Sequence, residues 1–336
     1  MTEEPQEATR RNAIDRALGG WQPARVLMAA NHLGFFAALG QGPLSAAEVA
    51  SKCSAHPRST ALLLNACVAL GLLEKEGGSY RNSSDAQASL VPGGPGYIGD
   101  AIAHQEDLWQ AWGRLPDAVR DNRRVVTRQA EGDAAASHRN FILAMHNRAM
   151  RAAPVLAEHL DLSDRRQLFD AGGGPGTFSI FLVRRYPGLR AIIFDLPQTI
   201  AITREIVGAS EVADRISFQP GNYFEDGFGD GNDVVLLSAI LHSMGPERSL
   251  MLLRKAYDSL VAGGMVVVNE GLVNADGTGP LSAVLFSLNM LVNTGEGQSY
   301  SEEELSGLMA DAGFADTTTI RLPERVGTAL VIGVKP

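Results

Sequence analysis

The residues of this chain whose types and spacing could do chemistry begin with a glycine-rich stretch, Asp170-Ala-Gly-Gly-Gly-Pro-Gly176. It follows a short apolar run and precedes a helical pattern, Thr177 to Arg185. Glycine at 172, 174 and 176 lets a backbone turn tightly and approach a ligand where a Cβ would collide. A dinucleotide fingerprint would need a further glycine at 177, and the residue there is Thr177. The strand also ends in a carboxylate, Asp170, which repels pyrophosphate and suits a ligand carrying an ammonium group. A second carboxylate, Asp195, closes the next apolar run and is placed to accept from ribose hydroxyls. Asp195 alone fits a dehydrogenase equally well. Together the two acids favour a nucleoside ligand with an ammonium and no phosphate, as in S-adenosylmethionine.

A second pair lies further along. His242 follows the apolar run Val234 to Leu237 and precedes a helical pattern opening near Pro246, which sets it at the carboxyl edge of a sheet. Glu270 closes the next apolar run. A lone histidine is often a core or capping residue, and a lone glutamate at a sheet edge often a salt bridge. Two such residues at adjacent strand ends favour a base and its orienting carboxylate over those alternatives.

The elements that must position these groups follow from periodicity. Residues from about Arg11 to Met150 read as helical almost throughout, broken by Gly-Gly, Pro and Asn turns. From about Gln167, strand-length runs (Leu168-Phe169, Ala191 to Phe194, Val234 to Leu237, Met265 to Val268) alternate with helices, which predicts a parallel sheet covered on both faces. Thr317 to Arg321 and Thr328 to Val334 are expected as an antiparallel pair at the edge. In the first half, Ser45 to Glu48 is a capping box, Pro57 opens a second helix reaching about Leu70, and Glu76 to Tyr80 is a short hairpin. That order is a winged-helix arrangement. Its second helix, Thr60 to Leu70, offers almost nothing to base edges, so scaffolding or dimer contact is the better account than DNA reading.

Bulk properties narrow the partners. A chain of 336 residues suits two domains, here 11–150 and 151–336. A formal net charge of −9 disfavours a phosphate backbone as partner. Cys53 and Cys67, the only two cysteines, indicate neither a disulfide framework nor a cysteine metal site. No run approaches the roughly 18 apolar residues of a membrane span, and the polar start carries no signal pattern. A cytoplasmic protein without a metal is expected.

Asp170-x-Gly-x-Gly-x-Gly176, Phe194-Asp195-Leu196-Pro197, Leu237-Ser-Ala-Ile-Leu-His242 and Val268-Asn-Glu270, in that order, resemble the class I S-adenosylmethionine-dependent small-molecule O-methyltransferases, of the caffeate and hydroxyindole type with bacterial polyketide-tailoring relatives. The resemblance spans nearly the whole chain. It implies an α/β fold with a Rossmann-like seven-stranded sheet in order 3-2-1-4-5-7-6, preceded by a helical winged-helix domain that dimerises and closes over the substrate. It implies that Asp170, Gly172 and Gly174 line the donor, that Asp195 and Leu196 hold ribose and adenine, and that Ser238 lies near the donor. Gly221-Asn222-Tyr223 matches the adenine turn, with Asn222 where the family usually has Asp. His242 matches the catalytic base and Glu270 the carboxylate behind it. Family acceptor positions carry onto His104, Phe141, Met145, Arg148, Asn289, Met290 and Asn293, and Trp109 shares a helix face with Trp112.

Two departures bear on the acceptor. Ser243-Met244 stands where the family has Asp-Trp, and a second supporting glutamate falls on Ser299, with Glu296 three residues out of register. Fewer carboxylates around His242 mean a weaker base, adequate for an acidic phenol and irrelevant to a thioether. The expected activity is therefore O-methylation of a small-molecule hydroxyl. The alternative is S-methylation of a carboxylate-bearing thioether of the methylthio-hydroxybutyrate type, as in dimethylsulfoniopropionate synthesis, and a winged-helix ligand-binding regulator is the reading from a different class.

Overall fold

The computed structural model describes residues 13–125 and 134–336, so residues 11, 12 and 126–133 of the expected helical stretch lie outside the described residues. The described residues group into two compact units, one ending at Asp107 and one running from Leu108 to Pro336.

The first unit is mostly helical: 13–19 (α1), Trp21–His32 (α2), Phe35–Ala38 (α3), Ala46–Lys52 (α4), Pro57–Ala69 (α5) and Ser84–Leu90 (α6). The capping box forms as the sequence requires. Ser45 Oγ accepts from the Glu48 amide, and the Glu48 carboxylate accepts from the Ser45 amide at 2.7 Å. Leu64 and Cys67 of α5 are buried with Phe35, Phe36, Leu39 and Val49 in one core, while Leu62 is left exposed. The hairpin is longer than its turn residues suggest. Its strands are Leu73–Glu76 (β2) and Ser79–Asn82 (β3), and Leu44–Ser45 (β1) pairs with the free side of β3.

The second unit holds Leu115–Asp121 (α8), Ala134–His159 (α9), Gln167–Ala171 (β4), Thr177–Arg185 (α10), Arg190–Asp195 (β5), Pro197–Gly208 (α11), Ile216–Pro220 (β6), Asn232–Ser238 (β7), Pro246–Ser259 (α12), Leu260–Glu270 (β8), Leu281–Asn293 (α13), Glu302–Asp311 (α14), Ala315–Arg321 (β9) and Ala329–Val334 (β10). The helix Gly99–Trp112 (α7) precedes them. The sheet runs β6-β5-β4-β7-β8-β10-β9, which is the expected order 3-2-1-4-5-7-6 when strands are counted within the unit. Strands β4 to β8 pair parallel, and β10 lies antiparallel to both neighbours.

The last two strands form the expected antiparallel pair at one end of the sheet, with β9 outermost and β10 between β8 and β9, its Leu330 and Val331 fully buried. Strand β6 was not anticipated, because an edge strand buried on one side alternates apolar and polar residues and shows no continuous apolar run.

Alternation divides the sheet between two cores. Phe169, Ala171, Val235, Leu237, Val266 and Val268 pack into one, whereas Leu168, Val234, Leu236, Met265 and Val267 pack into the other with α9, α10 and α11. By the same period, Asp170, Ser238 and Asn269 fall on the second face and Glu270 on the first. The carboxyl ends of β4, β5, β7 and β8 thus present polar groups on both faces at the edge where open α/β sheets bind ligands.

Candidate active site

The glycine loop leaves β4 with positive φ at Gly172 (71°), Gly174 (53°) and Gly176 (74°), conformations that L side chains resist. A Cβ on Gly172 would sit 2.5 Å from Ile240 Cδ1, and one on Gly176 would sit 2.6 Å from Ile193 Cδ1. Gly172 faces the site and Gly176 faces the core. The loop amides are already engaged: Gly172 and Gly173 donate to Phe194 O at 2.7 and 3.2 Å, Gly174 to Asp195 Oδ2 at 2.8 Å, and Gly176 to Gly173 O at 2.9 Å. A phosphate cradle needs such amides free and pointing at the ligand. This loop fits a ligand recognised by carboxylates instead.

Those carboxylates are unusual. Asp170 is 2 % exposed and accepts from Ser179 Oγ at 2.6 Å. Burial, opposed by the Ser179 bond and reinforced by Asp195, raises its pKa to about 7. Asp195 is also pushed up by burial, against the amides of Gly174 and Leu196, the Thr199 hydroxyl and the charge of His138. Its second oxygen accepts from Leu196 N at 2.7 Å, and Leu196 itself is exposed. Two carboxylates desolvated side by side call for a cation and for hydroxyl donors. The ammonium and ribose of S-adenosylmethionine supply both.

The adenine turn follows β6. Gly221 donates to Asp195 O at 2.9 Å, and a Cβ there would meet Phe194 Cε2 at 2.5 Å. Asn222 Oδ1 already accepts from Phe224 N at 3.0 Å, leaving one lone pair for a ligand. The Tyr223 ring approaches Gly172, and burial with the Asp195 charge raises its phenol pKa. Lys255 donates to the carbonyls of Tyr223 and Asp226 at 2.8 and 2.9 Å and fixes the turn from behind.

Beyond β7 the chain turns sharply. Ala239 takes φ 57° and donates to Asn269 O at 2.9 Å, and Leu241–Ser243 form a single 3-10 turn. That turn sets His242 against Glu270. The ring Nδ1 lies 2.7 Å from Glu270 Oε2, and Oε1 accepts from the His242 amide at 3.2 Å. Glu270 is 4 % exposed, so one buried carboxylate holds both the ring and the backbone of the histidine. Phe286 of α13 meets the ring edge-on at a centroid distance of 4.8 Å. With Nδ1–H given to Glu270, Nε2 carries the lone pair.

The family-derived positions fall into separate groups. Ser238 accepts from Asn269 Nδ2 at 2.9 Å. Asn269 Oδ1 is buried without a partner, a feature invisible in a sequence that reads only as strand. Ser243 Oγ donates to Ile240 O at 2.7 Å, and Ser299 Oγ to Ala283 O at 3.0 Å. Both serines thus serve backbone carbonyls, and exposed Glu296 lies beside Gly245. Asn289 Oδ1 accepts from Trp112 Nε1 at 3.0 Å and from Asn293 Nδ2 at 3.1 Å, joining three of the named side chains' positions on α7 and α13. Met290 is buried at 7 %, whereas Trp109 and Phe141 remain exposed. Met145 is half-buried and Arg148 exposed on α9, and His104 is half-buried on α7 in the first unit. Sequence reasoning missed His146, whose Nδ1 meets Thr177 Oγ1 at 2.8 Å, and His138, whose Nε2 meets Thr199 Oγ1 at 3.1 Å. Both lie on α9 at helical spacing, where a lone histidine reads as surface. Among the described residues, no group of three or more His, Cys, Asp or Glu is placed to hold a metal ion, and no helix is long and apolar enough to cross a membrane.

Comparison with known proteins bears on the whole length. A family model for the O-methyltransferase domain matches residues 112–315, and one for the O-methyltransferase dimerisation domain matches residues 17–91. The chain is 35% identical to 3-hydroxy-5-methyl-1-naphthoate 3-O-methyltransferase of Streptomyces sahachiroi, over 96% of this chain and 94% of that protein. It is 34% identical to acetylserotonin O-methyltransferase of Bos taurus, over 93% and 94%. The crystal structure of human N-acetylserotonin methyltransferase in complex with SAM (S-adenosylmethionine) superposes with a TM-score of 0.88 at 28% identity, covering 100% of this chain and 99% of that one.

Proposed function

This chain belongs to the S-adenosylmethionine-dependent O-methyltransferase family, and from that premise we propose that it methylates the hydroxyl of a small aromatic or polyketide-like molecule with His242 as general base. The observation that carries the proposal is the grip of Glu270 on both the ring and the amide of His242, which leaves Nε2 as the proton acceptor.

When bound, the donor supplies an activated sulfonium methyl group. Asp170 takes its ammonium, Asp195 its ribose hydroxyls, and Leu196 with the 221–223 turn its adenine. Gly172 and Gly174 give the backbone room for close approach. Ser238 stands near the reacting end. His242 Nε2 takes the acceptor's hydroxyl proton, and the imidazolium so formed is stabilised by the Glu270 carboxylate. The apolar and amide side chains of Trp109, Phe141, Met145, Asn289, Met290 and Asn293 orient the acceptor and exclude water. Residues 11–150 act as the dimerising and substrate-covering part and 151–336 as the donor-binding part. Exposed Leu18, Trp21 and Leu62 supply an apolar surface for a homodimer.

The relatives' activities support oxygen as the acceptor atom: the bacterial relative acts on a hydroxynaphthoate and the bovine one on acetylserotonin, by their names. A thioether needs no proton removed and gives no reason for a buried glutamate to orient His242. The deciding experiment supplies carbon-13-methyl S-adenosylmethionine with an extract of candidate acceptors and reads the carbon shift of the product. An aryl methyl ether is expected; a methylsulfonium signal would remove the proposal.

A further inference from the structure

The carboxylate of Asp195 is held from more than its own strand end. Each oxygen accepts one amide, Oδ2 from Gly174 at 2.8 Å and Oδ1 from Leu196 at 2.7 Å. A further donor, the Thr199 hydroxyl, reaches the carboxylate from the first turn of α11. Thr199 is 2 % exposed, so bulk water does not orient that hydroxyl. Its other neighbour is the half-buried ring of His138 on α9, with Nε2 3.1 Å from Thr199 Oγ1.

The direction of these bonds follows from the protons available. A threonine hydroxyl has one proton to give and lone pairs with which to accept. Were Nε2 to accept that proton, Thr199 would turn only lone pairs toward a buried carboxylate. With Nε2–H donating instead, the hydroxyl proton goes to Asp195 and every group in the chain has its partner. Positive charge on His138 favours the ionised carboxylate in the same sense, against the burial that disfavours it.

Helix α9 is built to keep the ring there. Ile142, Ala149 and Ala153 follow His138 at i+4, i+11 and i+15, which is one face of a helix, and all three are buried. The same side of α9 sets His146 against Thr177 at the start of α10, at 2.8 Å. Arg139 pairs with Glu205 of α11 at 2.6 Å, a second tie between α9 and α11 made by exposed side chains.

We propose that His138 is a positioning residue for the methyl donor: by donating to Thr199 it directs the Thr199 hydroxyl onto Asp195 and holds that carboxylate as the acceptor of the ribose hydroxyls. This goes beyond the function proposed above, in which His138 has no part, and rests on the assignment of the ribose to Asp195.

The test is calorimetry of the full-length protein with S-adenosylhomocysteine and with its counterpart lacking both ribose hydroxyls. No methyl acceptor is present, so the outcome is separate from the identity of the methylated atom. Thr199→Val, which keeps the shape of the side chain, and His138→Met should each weaken S-adenosylhomocysteine binding about fivefold or more, the scale of one hydrogen bond. The double variant should fall within about twofold of the weaker single one, because both changes break one chain of bonds. His138→Gln, whose amide can donate as Nε2–H does, should recover most of the affinity. None of these changes should weaken the ligand without ribose hydroxyls. Arg139→Ala, which cuts the exposed tie alone, should bind within about twofold of wild type, less than one hydrogen bond is worth. Wild-type affinity in His138→Met overturns the proposal. Equal losses for the two ligands also overturn it, by making His138 a packing residue. A wild type that binds both ligands equally overturns the assignment of the ribose to Asp195 together with the role of His138, and leaves O-methylation standing.

Discussion

Asp170 is held in a state its surroundings oppose. Its folded carboxyl keeps a proton up to about pH 7, against 3.8 ordinarily. Between those values the folded chain binds the extra proton, so the stability contributed by this group falls as pH rises across the window and stays low above it. Asp170→Asn, which keeps the shape and a partner for Ser179, should therefore raise the ligand-free melting temperature near pH 8 and leave it almost unchanged near pH 4. The same variant should bind S-adenosylhomocysteine more weakly, because the amide cannot neutralise an ammonium. A melting gap between variant and wild type that does not change with pH would contradict this reading of Asp170. At this scale the sequence was informative about residue types and silent about their partners. The strand-end acids Asp170, Asp195 and Glu270 announced themselves by position. The roles of Ser243 and Ser299 as donors to Ile240 and Ala283 carbonyls depend on turns whose geometry no spacing reveals.

The connection from β4 through the glycine loop to α10 does two different jobs, and adjacent glycines separate them. Gly172 needs its positive φ beside Ile240 and Tyr223, at the site, whereas Gly176 needs it beside Ile193, Thr203 and Val207, in the core. Alanine in a left-handed conformation costs about 1–2 kcal/mol before any clash. Gly176→Ala should accordingly lower the midpoint of urea unfolding by more than Gly172→Ala. Gly172→Ala should do its greater damage to donor binding, with S-adenosylhomocysteine affinity falling about tenfold or more for a displacement worth that energy. Equal effects of both on affinity would show that the loop acts only as a turn. Elements were the most legible level. The parallel sheet followed from alternation, the order of its seven strands from the family resemblance, and the capping box at Ser45 formed with both bonds. One strand was not legible: β6 hid because an edge strand alternates.

The molecule as a whole carries a net charge of −9 and a set of exposed apolar side chains on its first helices and α5: Ile14, Leu18, Trp21, Leu62 and Leu70. Scattered apolar residues need no explanation, but these lie in or beside the segment matching a dimerisation domain. Light scattering should give twice the chain mass, and Leu18→Glu with Trp21→Glu should shift the protein toward the monomer. A wild-type chain that remains monomeric at micromolar concentration would contradict the proposed assembly. The winged-helix order in this unit, read alone, was compatible with a regulator; α5 turns Leu64 and Cys67 into the core of the unit.

The proposed removal of a hydroxyl proton by His242 is tested most directly by single-turnover methyl transfer to a series of phenols of graded acidity, with wild type and His242→Ala compared under saturating donor. The variant should be slower by about two to four orders of magnitude for the least acidic phenol, the ordinary contribution of a positioned base, and the gap should narrow as the phenol becomes more acidic. A His242→Ala rate within about threefold of wild type across the series, far below that contribution, would contradict the account.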